Sequence, residues 1–498
     1  MRRYPSTVFQ SRPRLLDPDH PPPAREAWLI TWIVLSGAFC VSFTITILSV
    51  SRPAIARDLG ADPSLLVWLI SGPTMATALS SASAGKLGDV FGHRRSYLVG
   101  IAGATVFALA SAAAWNGPSL IAFRVLGALI GASTAPSSMA IINSVFPARD
   151  RSRALGYWSL VVAGGPVVGL VAGGPLVELF GWRMIFVLQA PLLAIAGVVA
   201  WRRLPETPKR VGTPLDVGGQ VTLGVSLLAL LLAIDRGRPL GWDSTVVLGL
   251  FALSVLTFVA FVRIELRVSH PLVPLRYFRR RSFSLPVAIQ FFANFGYMGG
   301  FILAPKLLDE VRHLGPGAIS LLLIPRPLVF AICGPIAGAM IPRVGTRIYM
   351  LIGSICMTLS LGILALVAHA PATAWVVLAI AISGLGQGSA QPAAATSVAN
   401  SVDPTDLGVA AAALQLVGMV GASVGMNLLD TIQVSRVAAA GAAGSFRDAY
   451  LVGACVSAVG ILLALGLRRT TTEQPTAVGA PLQPDTLHPD PLRPVSLR

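Results

Sequence analysis

Charge is scarce in this sequence. Asp, Glu, Lys and Arg together make up only 12% of its 498 residues, whereas soluble globular proteins carry about 25%. Hydrophobic residues make up 54% of the chain, and mean hydropathy is +0.72. The shortage of charge excludes a soluble multidomain protein and indicates an integral membrane protein.

Acidic residues are scarcer than basic ones, at 22 Asp and Glu against 38 Lys and Arg, which leaves a net charge of +16. Such an excess also suits nucleic-acid-binding proteins. In a membrane protein, however, Lys and Arg are expected in the cytoplasmic loops. We therefore predict a lipid bilayer, and no nucleic acid, as the partner of this chain.

Cysteine is also scarce. The four cysteines all lie in apolar runs, which excludes a disulfide framework or a zinc site and predicts small core residues: Cys40, Cys333, Cys356 and Cys455. The sequence shows no metal-ligand cluster and no nucleophile–base pair. Its glycine-rich stretches lack the Lys-Ser/Thr pair that follows a phosphate-binding loop. We expect no enzymatic activity, no ATP hydrolysis, no metal and no cofactor.

Long apolar segments fill the space between these sparse charges. A helix needs about 20 apolar residues to cross the hydrocarbon core, and fourteen segments approach this length. The sequence therefore predicts an all-α integral membrane protein with fourteen transmembrane helices. The segments are 28–50, 64–84, 97–115, 118–141, 154–176, 184–201, 218–234, 244–264, 283–305, 317–340, 348–369, 373–397, 407–429 and 447–467.

The basic residues predict the orientation. An even number of crossings places both termini on one side, and most of the 38 Lys and Arg lie in the loops of that side. By the positive-inside rule both termini are cytoplasmic, as in a multi-pass protein of the cell membrane. The tail 1–27 lacks the cleavage pattern of a signal peptide. The polar, proline-rich tail 468–498 is predicted to be disordered.

An internal repeat divides the segments into two halves. "AGKLGDVFGHRRSYLVG" at 84–100 resembles "AGAMIPRVGTRIYMLIG" at 337–353. We predict one six-helix bundle at 28–201 and a second at 283–467. A linker at 202–282 carries two inserted transmembrane helices. Repeated halves are typical of transporters. The pairs at constant spacing are Gly85 with Gly338, Gly92 with Gly345, and Arg94 with Arg347.

Several motifs resemble one family. "GKLGDVFGHRR" at 85–95 resembles the loop motif of the major facilitator superfamily, G-x-L-x-D-x-x-G-x followed by Arg or Lys. "GGPVVGLVAGG" at 164–174 resembles its antiporter signature, with Leu170 in place of the second proline. The stretches 180–191, 233–244 and 271–283 are similar to the fourteen-helix drug:proton antiporter branch, the QacA/EmrB type. The resemblance implies the major facilitator fold and a small-molecule substrate. We expect a monomer.

The 85–95 motif is a candidate gating loop. Asp89 can accept hydrogen bonds from the positive N-terminal end of a neighbouring helix and can pair with Arg94. Gly85, Gly88 and Gly92 allow close backbone approach. Such a latch would hold the two halves together in one state, which is also the role that the resemblance implies. The alternative is an ordinary basic loop with an incidental acid.

The helix-five signature has its own physical reason. Gly165, Gly169 and Gly173 recur every four residues, followed by Gly174, and give one smooth helix face for a close neighbour. Pro166 removes a backbone donor and bends the helix. The resemblance implies export rather than import. Tight packing without directional meaning is the alternative.

Two arginines lie inside apolar segments. A charge near the bilayer centre costs roughly 2.5–3.5 kcal/mol on the insertion scale, so Arg124 must face protein or water. We predict a role for Arg124 in the transport path; bonding to backbone carbonyls is the structural alternative. Arg326 stands between two prolines in "IPRPLV", and the sequence assigns it no role.

The acid that related antiporters carry in helix one is missing. Thr44 stands at its place, and the middle of every apolar segment lacks Asp and Glu. A proton-coupled carrier needs a protonatable group that is exposed alternately to each side. Proton coupling is therefore implied by the resemblance and weakened by the residues. The nearest acids lie at outer segment ends: Glu178, Asp235, Asp309, Glu310 and Asp430.

Polar side chains within the apolar segments are candidates for a substrate cavity. In lipid such groups must face the protein interior, where they either contact substrate or bond between helices. Three of them repeat at helical spacing in the ninth segment, two in the twelfth, and one lies in the thirteenth. They are Gln290, Asn294, Tyr297, Gln387, Gln391 and Gln415.

We therefore expect a membrane transporter that exports small amphipathic compounds by alternating access, with an ion gradient as its energy source. One alternative is a lipid or metabolite exporter without proton coupling. Another is a membrane sensor that has lost transport, which has no need of the 85–95 motif or the helix-five face.

Overall fold

A computed structural model describes residues 22–61, 66, 68–207, 216–268, 275–314, 316–369 and 373–467. The predicted tails lie almost wholly outside these ranges, as do parts of the predicted linker. Nearly all described residues are helical. The α-helices are α1 Ala24–Leu59, α2 Trp68–Phe91, α3 His93–Ala112, α4 Gly117–Gly131, α5 Thr134–Val145, α6 Arg151–Phe180, α7 Met184–Arg203, α8 Val217–Leu240, α9 Thr245–Glu265, α10 Arg281–Glu310, α11 Pro316–Leu323, α12 Pro325–Val344, α13 Thr346–Val367, α14 Thr373–Ala399 and α15 Leu407–Leu465.

Eleven stretches of the described residues are long and apolar enough to cross a membrane. Many of their outward-facing side chains are large and apolar. In α9, for example, Val255 is 62% and Leu256 69% exposed. Such exposure is unfavourable in water and suits a lipid environment, so the fold is that of a multi-pass membrane protein.

The expected loop at 85–95 is wrong in its boundaries. Residues 85–91 continue α2, and α3 begins at His93. Gly92 alone connects the two helices, with a φ of 98°. Gly345 connects α12 to α13 in the same way, with a φ of 92°. Glycine suits both positions because it has no Cβ to oppose a positive φ, and the two copies of the repeat thus share one turn geometry.

The helix α15 includes the expected connection between residues 429 and 447. This connection is not an extended loop, because its Ala- and Val-rich sequence lacks proline and continues the helix on both sides of Gly441. Gly441 breaks the helix with a φ of 71° and a ψ of 176°. Gln433 donates to Ser445 and Arg436 to Asp448, twelve residues apart. Contacts at this spacing require the two arms of α15 to fold back on each other as a helical hairpin.

Two predicted segments are interrupted helices. The segment 118–141 is divided between α4 and α5, and the segment 317–340 between α11 and α12. Pro325 opens α12, because proline suits the first turn of a helix and disrupts an interior.

The helices pack as two sets. In the first set α1 packs on α6 and α3 on α7, and in the second α10 packs on α15 and α13 on α14. The sets meet mainly through two pairs, α6 with α12 and α2 with α15. The remaining helices, α8 and α9, pack on each other, and α8 also contacts α2 and α15.

The largest apolar cluster spans both sets. It includes Tyr97 and Trp158 from the first set and Phe283 and Met350 from the second. We name the two ends of the bundle by residues: the Asp89 end, where α2 meets α3, and the Gly441 end, where α15 turns back.

Candidate gate and transport path

Asp89 connects the two helix sets. The backbone N–H of Gly408 donates to its Oδ1 and that of Val409 to its Oδ2, both at 3.0 Å. Asp89 is only 3% exposed. These N–H groups belong to the first turn of α15, where helical donors lack intrahelical partners and the helix end is positive. A buried carboxylate is therefore favoured at this position, and it joins α2 to α15.

His93 completes this contact, and the sequence reasoning missed it. Its Nε2 lies 2.9 Å from Asp89 Oδ1, and the residue is 4% exposed. Its ring fits only because two neighbours lack side chains: a Cβ would lie 2.3 Å from the imidazole at either Gly88 or Gly408. The signal available in the sequence was a histidine next to the turn glycine of the motif.

The expected pair between Asp89 and Arg94 is not formed. Arg94 instead donates to the backbone oxygen of Trp201, near the end of α7. Its counterpart Arg347 donates to the backbone oxygen of Leu465, the last residue of α15, at 3.0 Å. Each arginine thus satisfies a carbonyl at a C-terminal helix end, where a positive charge is favourable.

Glycine permits backbone contact between the sets at two places. A Cβ at Gly85 in α2 would lie 2.6 Å from the carbonyl oxygen of Gly408. At the second place, a Cβ at Gly338 in α12 would lie 2.3 Å from the carbonyl oxygen of Ser152 in α6. Gly85 and Gly338 are repeat counterparts, so both interfaces between the sets use the same repeat position. The Asp89 end is closed by these contacts.

A polar strap lies beside the start of α15. The hydroxyl of Tyr277, in a short 3-10 helix Leu275–Arg279, lies 2.8 Å from one carboxylate oxygen of Asp403 and 2.8 Å from one of Asp406. Arg276 donates to Asp403 at 3.0 Å. Burial of Tyr277 raises its pKa to about 12, which keeps the hydroxyl protonated as a donor to these carboxylates.

The glycine face predicted for the fifth apolar segment, which is α6 in the structure, packs against α1. A Cβ at Gly165 would lie 3.0 Å from Ser42 Cβ, whereas one at Gly164 would meet nothing within 4 Å. Gly169 is buried. The helix continues through Pro166 and through Gly173 and Gly174, whose surroundings are outside the described part of the chain.

Arg124 in α4 is not bonded to backbone carbonyls. Its guanidinium carbon lies 5.8 Å from the centroid of the Phe186 ring, and its buried Nε has no hydrogen-bond partner. The alternative that Arg124 is held by backbone carbonyls therefore lacks the hydrogen bonds that it requires.

Thr44, at the place of the family's acid, is 1% exposed. The side chain of Gln189 in α7 donates to Thr44 Oγ1 at 3.3 Å and to the carbonyl of Cys40 at 2.9 Å. The neutral hydroxyl and amide thus satisfy each other at the position where the resemblance implies an acid.

The polar candidates of the second set come together. Asn294 donates to the carbonyl of Gln290 at 2.9 Å, and Gln387 donates to Asn294 Oδ1 at 3.4 Å. The side-chain oxygens of Gln290, Gln387 and Gln391 are buried without a hydrogen-bond partner. We call Gln290, Asn294 and Gln387 the amide cluster.

Gln415 and Tyr297 are placed differently. Gln415 Nε2 lies 3.5 Å from Met139 Sδ, a contact from α15 to α5 between the two sets. The Tyr297 ring packs edge-on against Phe330 at 5.7 Å, and both belong to an apolar cluster with Ala163 of α6.

The acids near outer segment ends differ in their surroundings. Asp430 in α15 forms an ion pair with Lys306 in α10. Asp309 and Glu310 lie at the end of α10. The side chain of Asp235 is outside the described residues. The cysteines are free; Cys40 is buried, but Cys455 is exposed and so is not a core residue.

Comparison with known proteins adds the family. The model of the Major Facilitator Superfamily matches residues 34–426. The chain is 32% identical over 421 residues to the tetracenomycin C resistance and export protein of Streptomyces glaucescens, covering 82% of this chain and 76% of that protein. It is 28% identical over 408 residues to multidrug resistance protein Stp of Mycobacterium tuberculosis, covering 81% and 75% respectively.

Solved structures share the fold. The chain superposes on the human organic anion transporter MFSD10 with a TM-score of 0.66 at 15% identity, covering 89% of this chain and 100% of that one. Members of the matched family are transporters and not enzymes. On the family match over most of its length and on its all-helical, membrane-crossing fold, the chain belongs to the Major Facilitator Superfamily and is a multi-pass membrane transporter.

Proposed function

We propose that this transporter exports small amphipathic compounds, as a drug or multidrug efflux protein that works by alternating access. The observation that carries the proposal is the Asp89 carboxylate, which binds the start of α15 across the two helix sets. A contact of this kind is specific to one state, because moving the sets apart removes its hydrogen bonds. Relatives named for tetracenomycin C export and multidrug resistance support the direction and the substrate class.

The helix sets correspond to two moving bundles, residues 28–201 and 283–467, joined by the linker 202–282. The eleven apolar stretches, together with α2, α6 and the second arm of α15, bring the crossings to fourteen, as in the drug:proton antiporter branch. An even number places both termini on one side. The basic residues make that side, and hence the Asp89 end, cytoplasmic. The state described is closed to the cytoplasm.

The gate consists of Gly85, Asp89, Gly92 and Arg94, and His93 and Gly408 belong to it as well. Closing it joins α2 to α15, while Gly92 and the Arg94 contact with α7 keep α2 and α3 moving as one unit. The glycine face of α6 allows this helix to slide on α1 while α6 separates from α12. Together these elements allow the bundles to separate at both interfaces, α2 with α15 and α6 with α12.

Substrate is held between the bundles by the amide cluster, Gln391, Gln415, Tyr297 and Arg124. The unpaired amide oxygens accept hydrogen bonds from a polar group of the substrate, and the arginine without an acidic partner donates them. The surrounding apolar side chains receive the rest of an amphipathic molecule. Neutral or anionic compounds fit this lining better than dications, because the described lining carries no acid to compensate two positive charges.

A transport assay tests the proposal. The purified monomer is reconstituted into liposomes, and efflux of tetracenomycin C is followed with and without an imposed pH gradient. We expect saturable transport by the wild-type protein that matched neutral or anionic compounds inhibit more strongly than dicationic dyes. Absence of transport for every amphipathic compound tested, or tightest inhibition by dications, would contradict the proposal.

A further inference from the structure

Arg326 is a buried cation without an acidic partner. It lies in the first turn of α12 and is 3% exposed. It donates through Nη2 to the carbonyl of Tyr297. Its guanidinium carbon lies 3.6 Å from the centroid of the Tyr297 ring and 4.7 Å from that of Phe301. Its Nε has no hydrogen-bond partner, and no ion pair among the described residues includes it.

Several other cations are paired with acids. Lys306 is paired with Asp430, and Arg183 is paired with Asp58. A buried charge is unfavourable unless an opposite charge and hydrogen bonds compensate it. The aromatic faces and the one carbonyl compensate part of the Arg326 charge, but they carry no negative charge of their own. The surroundings of Arg326 therefore lack an anion.

A second unsatisfied donor packs on the same stretch of α10 as Arg326. Tyr450, in the second arm of α15, is completely buried, and its hydroxyl has no hydrogen-bond partner. Tyr450 belongs to one apolar cluster with Phe295 and Leu303, on either side of the two α10 rings, Tyr297 and Phe301, that contact Arg326. An arginine Nε–H and a phenol O–H both donate, so the pair favours an acceptor that carries negative charge.

These donors adjoin the rest of the polar lining. Asn294 of the amide cluster precedes Tyr297 by one helical turn in α10. Gly384, one turn before Gln387 in α14, contacts Arg326 directly: a Cβ there would lie 2.2 Å from the Arg326 carbonyl oxygen. The helix is interrupted between α11 and α12 immediately before Arg326.

We propose that Arg326 and the Tyr450 hydroxyl form a subsite for the acidic group of the exported compound, a carboxylate on an apolar body. The inference rests on the proposed export function and specifies its substrate class. The bound anion supplies the counter-charge that the protein lacks, and a charge-assisted, two-point contact with the arginine fixes its orientation. A neutral analogue forms the apolar contacts alone.

Binding of three matched probes tests this assignment. Pyrenebutyrate is anionic, pyrenebutanol is neutral and pyrenebutyl trimethylammonium is cationic, and all three share one apolar body. Affinities are measured by fluorescence on the full-length protein in nanodiscs. The variants are Arg326→Met, Arg326→Lys and Tyr450→Phe, and Arg436→Gln is the control because that arginine is half-exposed in the α15 turn.

We expect the wild-type protein to bind pyrenebutyrate more tightly than the other two probes. Loss of one charge-assisted hydrogen bond weakens binding by about tenfold, so Arg326→Met is expected to lose at least this factor for pyrenebutyrate and little for pyrenebutanol. Tyr450→Phe keeps the ring and the arginine, and is expected to show a smaller loss confined to the anion. Arg326→Lys retains part of the preference, and Arg436→Gln retains all of it.

The outcomes separate this inference from the export function. Equal losses for the anionic and neutral probes, or no loss in Arg326→Met and Tyr450→Phe, would show that Arg326 is a structural cation and would overturn the subsite. Export of neutral compounds would remain possible in that case. Failure of the wild-type protein to bind any of the three probes would count against both the subsite and the proposed export of amphipathic compounds.

Discussion

At the Asp89 end, the contact between the two helix sets depends on single residues that are buried and closely packed. Asp89 binds two backbone N–H groups of α15 only because Gly85, Gly88 and Gly408 leave space for the carboxylate and the His93 ring. A charge in this position contributes more than an exposed one, since water does not compete for its hydrogen bonds. The gate thus depends on a few atoms, and small substitutions test it.

Asp89→Asn is expected to reduce export strongly while expression and membrane insertion stay near wild-type levels. Hydrogen bonds to charged groups contribute about 1.5–3 kcal/mol, and the amide has one acceptor oxygen where the carboxylate has two. Efflux from reconstituted protein, normalised to inserted protein, measures the effect. Wild-type efflux from a correctly inserted variant would exclude the gating role.

Gly85→Ala tests the close approach without changing charge. The added Cβ would lie 2.6 Å from the carbonyl oxygen of Gly408, whereas the Cβ of the control Gly164→Ala would meet nothing within 4 Å. We expect Gly85→Ala to lower efflux and to increase labelling of the Asp89 end by a membrane-permeant thiol reagent at Val409→Cys. The same effect in Gly164→Ala would mean that helical glycines matter only for folding.

Whole elements are positioned by contacts at their ends. The short 3-10 helix Leu275–Arg279 precedes α10, and its Tyr277 holds Asp403 and Asp406 in the connection that leads into α15. The same connection presents the N–H groups that Asp89 binds. The strap therefore couples the linker to the gate: if the connection moves, the first turn of α15 moves with it.

Tyr277→Phe is expected to loosen this connection. It removes one buried hydrogen bond to a carboxylate, a loss of about 1–3 kcal/mol, and keeps the ring in contact with Phe283. We expect faster proteolysis within residues 399–407 in detergent and lower thermal stability. Arg279→Gln serves as the control because no hydrogen bond or ion pair of its side chain is part of the strap. Equal protease resistance of Tyr277→Phe and the wild type would show that the strap does not hold the connection.

At the scale of the whole molecule, two packed helix sets meet through two glycine-lined pairs, and α15 turns back at Gly441. The closed Asp89 end and the repeat of turn geometry at Gly92 and Gly345 favour a mechanism in which the sets rock against each other. Topology and energy coupling are properties of this whole assembly.

The topology is tested by thiol labelling in a variant without its four cysteines. Ser6→Cys and Ser496→Cys probe the two tails, and Ala439→Cys probes the α15 turn. An impermeant maleimide added to intact cells is expected to label Ala439→Cys alone, because an even number of crossings leaves both tails inside. Labelling of one tail and not the other would show an odd number of crossings.

Coupling to protons is expected to be weak. One pH unit corresponds to about 1.4 kcal/mol per proton, so a fully coupled carrier would accumulate substrate about tenfold. Thr44 occupies the place of the usual acid and is satisfied by Gln189, and we expect accumulation well below this factor in proteoliposomes. If a tenfold accumulation appears, the weak-coupling prediction fails. Loss of this accumulation in Asp309→Asn, in Asp430→Asn or in both would then assign the proton-carrying group to an outer-end acid.

Much of the architecture follows from the sequence by itself. Apolar length and scarce charge determine the membrane-crossing helices, since only hydrogen-bonded backbone is tolerated in lipid. The motif residues and their repeat indicated the superfamily, which the family match confirms. The sequence also singled out Asp89, because an acid in a basic stretch between apolar runs requires a reason.

Only the tertiary structure decided which groups meet. Helical periodicity places a residue on a face but does not say which distant backbone lies opposite. The sequence therefore does not identify Gly408 and His93 as part of the gate, or Tyr277 as part of the strap. The pairing of Asp89 with α15 and of Arg94 with Trp201 depends on the approach of helices far apart in sequence. For the same reason the sequence assigns Arg326 no role, because the Tyr297 and Phe301 rings that contact it lie about 25 residues earlier in the chain, on α10. Burial and unpaired donors are properties of packing, and packing is not local in the chain.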